Sequence, residues 1–240
     1  MIDAVVLDIE GTTSPTSSVR EGLYGYTRQH LARWLADNQS GAAHSVLAGA
    51  REIAGRPDAD INEIAGRPDA DINEIAEVMC RWLDSDIKAE PLKTAQGLIC
   101  AAGFRGGDLY GEFFDDVRPA LTAWHADGIS LSVFSSGSVR NQQDWFSYAR
   151  GGEMASLISS WFDLTTAGPK REGTSYRRIA DEIGLPGGNI LFLSDQPDEL
   201  DAAVSAGWSV VGVARAGEPN SPRPPHRWVD SFADVDPRAT

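Results

Sequence analysis

The stretch "VVLDIEGTT", residues 5–13, decides how the chain is read. Ala4–Leu7 run apolar into Asp8, and Gly11, Thr12 and Thr13 then supply turn chemistry. A short apolar, β-branched run bounded by such residues predicts a buried strand. A second carboxylate, Glu10, follows two positions after Asp8. On extended backbone, residues two apart face the same side, so both acids are expected to serve one site.

Four further segments share this signature: Ile129–Phe134, Trp161–Thr165, Ile190–Leu193 and Ser209–Val213. Helical periodicity falls between them, over Ser138–Tyr148, Ser175–Ile183 (ended by Gly184 and Pro186) and Glu199–Ala206 (ended by Gly207). Strands alternating with helices predict an α/β fold with a mostly parallel sheet, in which ligands bind at the carboxyl ends of the strands.

Residues 18–114 break this alternation. Val19, Leu23, Tyr26, His30, Leu31, Trp34 and Leu35 recur at helical spacing, as do Ile72, Ile75, Val78, Met79, Trp82 and Leu83, then Leu92, Ala95, Leu98 and Ile99. Pro68 and Asp69 are expected at the start of the second helix. The expectation is an all-helical domain inserted into a core made of 1–17 and 115–240. Inside it "EIAGRPDADIN" occupies 52–62 and returns unchanged at 63–73. Each copy carries Gly and Pro, so each is expected to restart the chain at a turn, as a tolerated duplication in a surface loop. The Pro-rich "AGEPNSPRPPHR", 216–227, is expected to run extended across the surface.

The chain has 240 residues, 42% of them hydrophobic, enough for one large domain with an insertion. Its formal charge of −14 argues against nucleic acids and anionic membranes as partners. Cys80 and Cys100 lack the spacing of a zinc site or a disulfide framework. No apolar run is long enough to span a bilayer, and Asp3 and Asp8 interrupt any signal-peptide layout. The expectation is therefore a cytoplasmic protein and, for want of an obvious association segment, a monomer.

Every predicted strand ends near a reactive residue: Asp8, Ser135, Lys170, Asp195 and Arg215. Asp8 and Asp195 would share one edge, and two carboxylates brought together repel unless a cation intervenes. Mg²⁺ suits one or two carboxylates plus a substrate phosphate. The turn "FSSGSV" offers Ser135, Ser136 and free N–H groups to that phosphate, and Lys170 offers a positive charge. Asp8 could then attack the phosphoryl group, and Glu10 could protonate the leaving oxygen and later activate water. Taken singly, these residues are ordinary turn residues, caps and solvated charges. Their joint order carries the reading.

That order resembles the haloacid dehalogenase superfamily of aspartate-nucleophile phosphatases. More narrowly, the chain is similar to the acireductone synthases, the enolase-phosphatases of methionine salvage. The resemblance rests on "LDIEGTTSP" (7–15), "KTAQGLI" (93–99), "FDDVRPALTAWHADGISLSVFSSGSV" (114–139), "GPKREGTSYRRIA" (168–180) and "LFLSDQPDELDAAVSAGW" (191–208). It implies a Rossmann-like core with a helical cap inserted after the first motif, and Mg²⁺ as cofactor. The implied substrate is the phosphorylated diketone 2,3-diketo-5-methylthiopentyl-1-phosphate, which is enolised and then dephosphorylated. Asp8, Glu10 and Asp195 match the metal positions, the second acting in the superfamily through its backbone carbonyl. Ser135, Ser136 and Lys170 match the substrate-phosphate positions. For enolisation Glu10 is placed to help, and Lys88 or another residue of the insertion could contribute. The rival readings are a phosphatase for another small phosphomonoester, a dehalogenase, and a non-catalytic phospho-acceptor module. A dehalogenase would leave Glu10 and Asp195 idle, and the large insertion argues against the acceptor module.

Overall fold

The computed structural model describes residues 1–38, 41–54, 71–85, 87 and 89–239. Most of the duplicated segment, Pro68, Asp69 and Lys88 lie outside the described residues. The chain divides into two compact units, Met1–Val19 with Tyr110–Thr240, and Arg20–Leu109.

The first unit is built on a six-stranded sheet: β1 (Ala4–Leu7), β2 (Ser130–Phe134), β3 (Ser160–Phe162), β4 (Ile190–Ser194), β5 (Ser209–Val213) and β6 (Trp228–Val229). Its spatial order is β3-β2-β1-β4-β5-β6, and every pairing is parallel. β1 is buried along its whole length, as strands covered on both faces must be. Leu7 stands opposite Val133 of β2 and Leu193 of β4, so the residues that follow these strands emerge side by side. Chain order reverses around β1, which makes its carboxyl end the switch point where ligands bind in such sheets.

Tyr176, on the helix Gly173–Ile183, anchors one face of the sheet. Its ring meets Phe134, Phe192 and Trp208 edge-on at 5.6, 5.2 and 5.3 Å between centroids. Its hydroxyl donates to the carbonyl of Lys170 at 2.8 Å. The core thereby fixes the backbone of a candidate site residue.

Three features depart from the expectations. β3 stops at Phe162 rather than Thr165, because the Asp163 carboxylate accepts the N–H groups of Thr165 and Thr166, both at 2.9 Å, and turns the chain. A sixth strand follows the Pro-rich stretch: Gly212 has no Cβ, and a Cβ there would lie 2.3 Å from the Trp228 indole. The helix Val117–Ala126 also went unread. Pro119 sits in its first turn, where a missing N–H costs nothing.

The second unit is helical. Its main helices are Gly25–Asp37, Ala42–Ala54, Ile72–Asp84 and Glu90–Gly106, packed around Leu31, Leu35, Val46, Met79, Trp82 and Ile99. The expected first helix is broken into Thr16–Val19, a π-helical turn Arg20–Tyr24, and Gly25–Asp37. Ala42–Ala54 escaped the periodicity because two of its buried residues, Ala43 and Ala50, are small. Ile72–Asp84 begins with a capping box. The Asp71 carboxylate accepts from the N–H groups of Asn73 and Glu74 at 2.8 and 2.9 Å, and Glu74 accepts from the N–H of Asp71 at 3.0 Å.

Deleting residues 63–73 leaves "DADINEIAEV" intact, with Asp60 in the sequence place of Asp71. The deletion variant is expected to keep its thermal midpoint within a few degrees and its activity within a few-fold. Asp71→Ala in the full chain should instead lose about 1 kcal/mol in urea unfolding.

Candidate active site

β1 delivers Asp8 and its neighbour β4 delivers Asp195; both residues are buried, at 3% and 2% exposure. Between them lies the turn that "EGTT" encodes. The carbonyl of Ile9 accepts the N–H groups of Thr12, Thr13 and Ser14 at 3.2, 3.0 and 2.9 Å. Gly11 takes φ +74°, and a Cβ there would stand 2.6 Å from Asp195 Oδ2. The fold-back lets Thr12 Oγ1 donate to Asp8 Oδ2 at 3.3 Å while accepting the N–H of Asp195 at 2.9 Å. One hydroxyl therefore links the two carboxylates. Thr13 Oγ1 donates to the Asp8 carbonyl at 3.1 Å.

Lys170 Nζ lies 2.5 Å from Asp8 Oδ1 and 2.7 Å from Glu199 Oε2. Burial alone would lower its pKa, but the Asp8 and Glu199 charges win and raise it, so the ammonium stays charged. The carbonyl-bound Tyr176 hydroxyl below and the Phe134 ring, 5.6 Å from Nζ, hold it in place. Glu199 also accepts from Ser194 Oγ at 2.9 Å, and burial pushes its carboxyl upward despite Lys170.

Asp195 differs from its neighbours. Its Oδ2 accepts from Gln196 Nε2 at 3.1 Å and from Asn220 Nδ2, whereas Oδ1 is buried with no hydrogen-bond partner. Burial and then the Asp8 charge push its pKa up to about 7. Three carboxylates (Asp8, Asp195 and Glu199) face one ammonium. When all are ionised, two negative charges are left over, and the buried Asp195 Oδ1 has no hydrogen-bond partner. A divalent cation balances both. Among the described residues no three His, Cys, Asp or Glu side chains form a ready-made cage. Carboxylate oxygens are the donors Mg²⁺ takes, one or two of them with waters or substrate oxygens at its other positions.

Ser135 follows Phe134 at the end of β2, beside β1; it is buried, and Ser136 is half-buried. The turn is braced from behind. Gln142 Nε2 donates to the carbonyls of Gly137 and Phe162 at 2.7 and 2.9 Å, and Asp163 Oδ2 accepts the Val139 N–H at 3.1 Å. Burial would raise the Asp163 pKa, but the donated N–H groups outweigh it and hold the carboxyl low. Glu10 is half-buried at the start of the turn, where its backbone bridges to Ser14.

Arg215 lies behind the same turn. Its Nε donates to the Thr12 carbonyl at 3.0 Å, and one terminal nitrogen pairs with Asp116 at 2.6 Å. Burial would raise the Asp116 pKa, but hydrogen bonds from Arg215, the Phe232 N–H and Ser231 hold it low. The structure thus places Asp8, Lys170 and Asp195 in one cluster and the Ser135 turn at its edge. Sequence reasoning missed Thr12, Glu199 and Asn220. In the sequence Glu199 is only the first residue of a helical stretch; its pairing with Lys170, 29 residues back, gives it its place in the site.

Residues 2–207 match the family model of haloacid dehalogenase-like hydrolases. The chain is 63% identical over 236 residues to the enolase-phosphatase E1 of Nocardia farcinica, an alignment covering 98% of this chain and 97% of the relative. It belongs to the enolase-phosphatase E1 family of haloacid dehalogenase-like hydrolases. A second member, from Frankia alni, is 44% identical and is aligned over 97% of this chain and 94% of its own. The crystal structure of the yeast UTR4 protein superimposes with a TM-score of 0.75 at 26% identity, covering 98% of this chain and all of the other. As in other hydrolases of this family, the fold is a parallel α/β core carrying a phosphatase.

Lys170→Ala would strand two buried carboxylates beside a third. Removing one partner of such a buried set costs about 3–5 kcal/mol. Urea unfolding at pH 7 should show that loss, and a change below about 1 kcal/mol would mean that the triad is not buried as described.

Proposed function

We propose that this chain is a Mg²⁺-dependent enolase-phosphatase acting on 2,3-diketo-5-methylthiopentyl-1-phosphate. The observation that carries the catalytic half is the buried pairing of Asp8 with Asp195 from adjacent strands, one oxygen of Asp195 being unpartnered. The substrate comes from the near full-length similarity to proteins named enolase-phosphatase E1.

On this reading Asp8, Asp195 and the carbonyl of Glu10 hold the metal. When bound, Mg²⁺ neutralises charge on the phosphoryl group. The chain's own residues do the rest. Lys170, charged and pinned by Asp8 and Glu199, holds the phosphoryl oxygens with Ser135, Ser136 and the free N–H groups of their turn. The Asp8 carboxylate attacks phosphorus, forming an aspartyl-phosphate as the bond to the substrate C1 oxygen breaks. Glu10 gives that oxygen its proton. Deprotonated Glu10 then takes a proton from water, whose oxygen attacks the aspartyl-phosphate, releasing phosphate and restoring Asp8.

Asp8→Asn is expected to abolish phosphate release, and Glu10→Gln to keep Mg²⁺ binding while turning over slowly. A fully active Asp8→Asn protein would remove the nucleophile assignment. Supplied with the diketo phosphate, the wild-type enzyme should produce the ultraviolet absorbance of the enediol product. Phosphate release without that absorbance would leave a phosphatase but not this substrate.

A further inference from the structure

The Pro-rich segment 216–227 takes no part in the reaction just described, yet its side chains are tied to the site from two directions. At its start, the Glu218 carboxylate accepts the N–H of Thr16 at 3.1 and 3.3 Å, just past the turn that holds Asp8. At its far end, Arg223 pairs with Asp198 and Asp201 at 3.0 and 2.6 Å, and His226 Nε2 lies 2.7 Å from Asp201. Both acids belong to the helix Pro197–Ser205, which begins two residues after Asp195. The indole N–H of Trp228 then donates to the Arg223 carbonyl at 2.9 Å, where the chain joins β6. Between these anchors Asn220 reaches inward and donates to Asp195 Oδ2.

A segment serving only to cover the surface would need its anchors and nothing more. Here an amide from the middle of the span meets one particular oxygen of a buried carboxylate. Gln196 donates to the same oxygen at 3.1 Å, and the other oxygen, Oδ1, is left unpartnered. Two donors on one oxygen stop the carboxylate from exchanging its two oxygens. Pro219, Pro222, Pro224 and Pro225 restrict the segment before folding, so little entropy is lost in holding Asn220 there.

We propose that residues 216–227 form a strap that sets metal affinity, with Asn220 as the positioning residue that presents Asp195 Oδ1 to Mg²⁺. This rests on the reading that Asp195 holds the metal. Second partners of metal-binding carboxylates are commonly worth 10–100-fold in affinity.

The test is binding of Mg²⁺ alone to the full chain, by displacement of Mn²⁺ followed by electron paramagnetic resonance, with thermal unfolding recorded for each variant. Asn220→Ala, and Asn220→Leu, which keeps the branched shape without the amide, should weaken Mg²⁺ about 10–100-fold. Their unfolding midpoints should stay within a few degrees of wild type, because Asn220 is half-buried and the strap keeps both anchors. Asp195→Asn should lose nearly all binding. If both Asn220 variants bind Mg²⁺ within twofold of wild type while Asp195→Asn fails, the strap is only a surface tie and the inference falls alone. If Asp195→Asn binds normally, the metal assignment falls and takes the inference with it.

Discussion

A single buried ammonium organises the first unit's carboxyl edge. Lys170 stands between Asp8 and Glu199, and without it three acids would meet inside the protein with nothing to oppose them. Taking charges out of water is expensive, and it is tolerated only where partners and hydrogen bonds are complete. The surrounding structure reads as the completion of that set. Tyr176 holds the lysine's carbonyl from the core, Ser194 satisfies Glu199, and Thr12 satisfies Asp8. Asp195 Oδ1 is buried without a hydrogen-bond partner, so a need for positive charge remains at that atom.

The sheet was legible because its strands are short, apolar and separated by amphipathic helices. β1, β4 and β5 match the apolar runs to within a residue, since burial on both faces leaves a local signature. The elements that went unread have their causes outside their own sequence. β6 exists because Gly212 makes room for an indole 16 residues later, and β3 ends early because a carboxylate captures two N–H groups. The helix Ala42–Ala54 buries small side chains, which hydrophobic periodicity registers weakly.

The same division holds at the site. Asp8, Ser135 and Asp195 announce themselves by standing at strand ends, and Lys170 by following β3 after a short loop. Glu10 was placed by strand alternation, but the β1 ladder ends at Leu7 and Glu10 already belongs to the turn. Thr12, Glu199 and Asn220 are polar residues in polar stretches, and their importance lies in what they touch: a neighbouring strand's N–H, a lysine 29 positions back, a carboxylate 25 positions back. Residue type and local spacing carry no trace of such partnerships.

The capping box at Asp71 gives the 11-residue repeat a property that neither copy has alone. The last residues of each copy, together with the "EIA" that follows, spell the same helix-starting signal. Whatever the number of copies, the helix Ile72–Asp84 meets an identical preceding sequence. Gain or loss of a unit therefore edits the length of the insertion without touching the junction on which its packing depends. The sequence that starts this helix is thus the same whether one copy or two precede it.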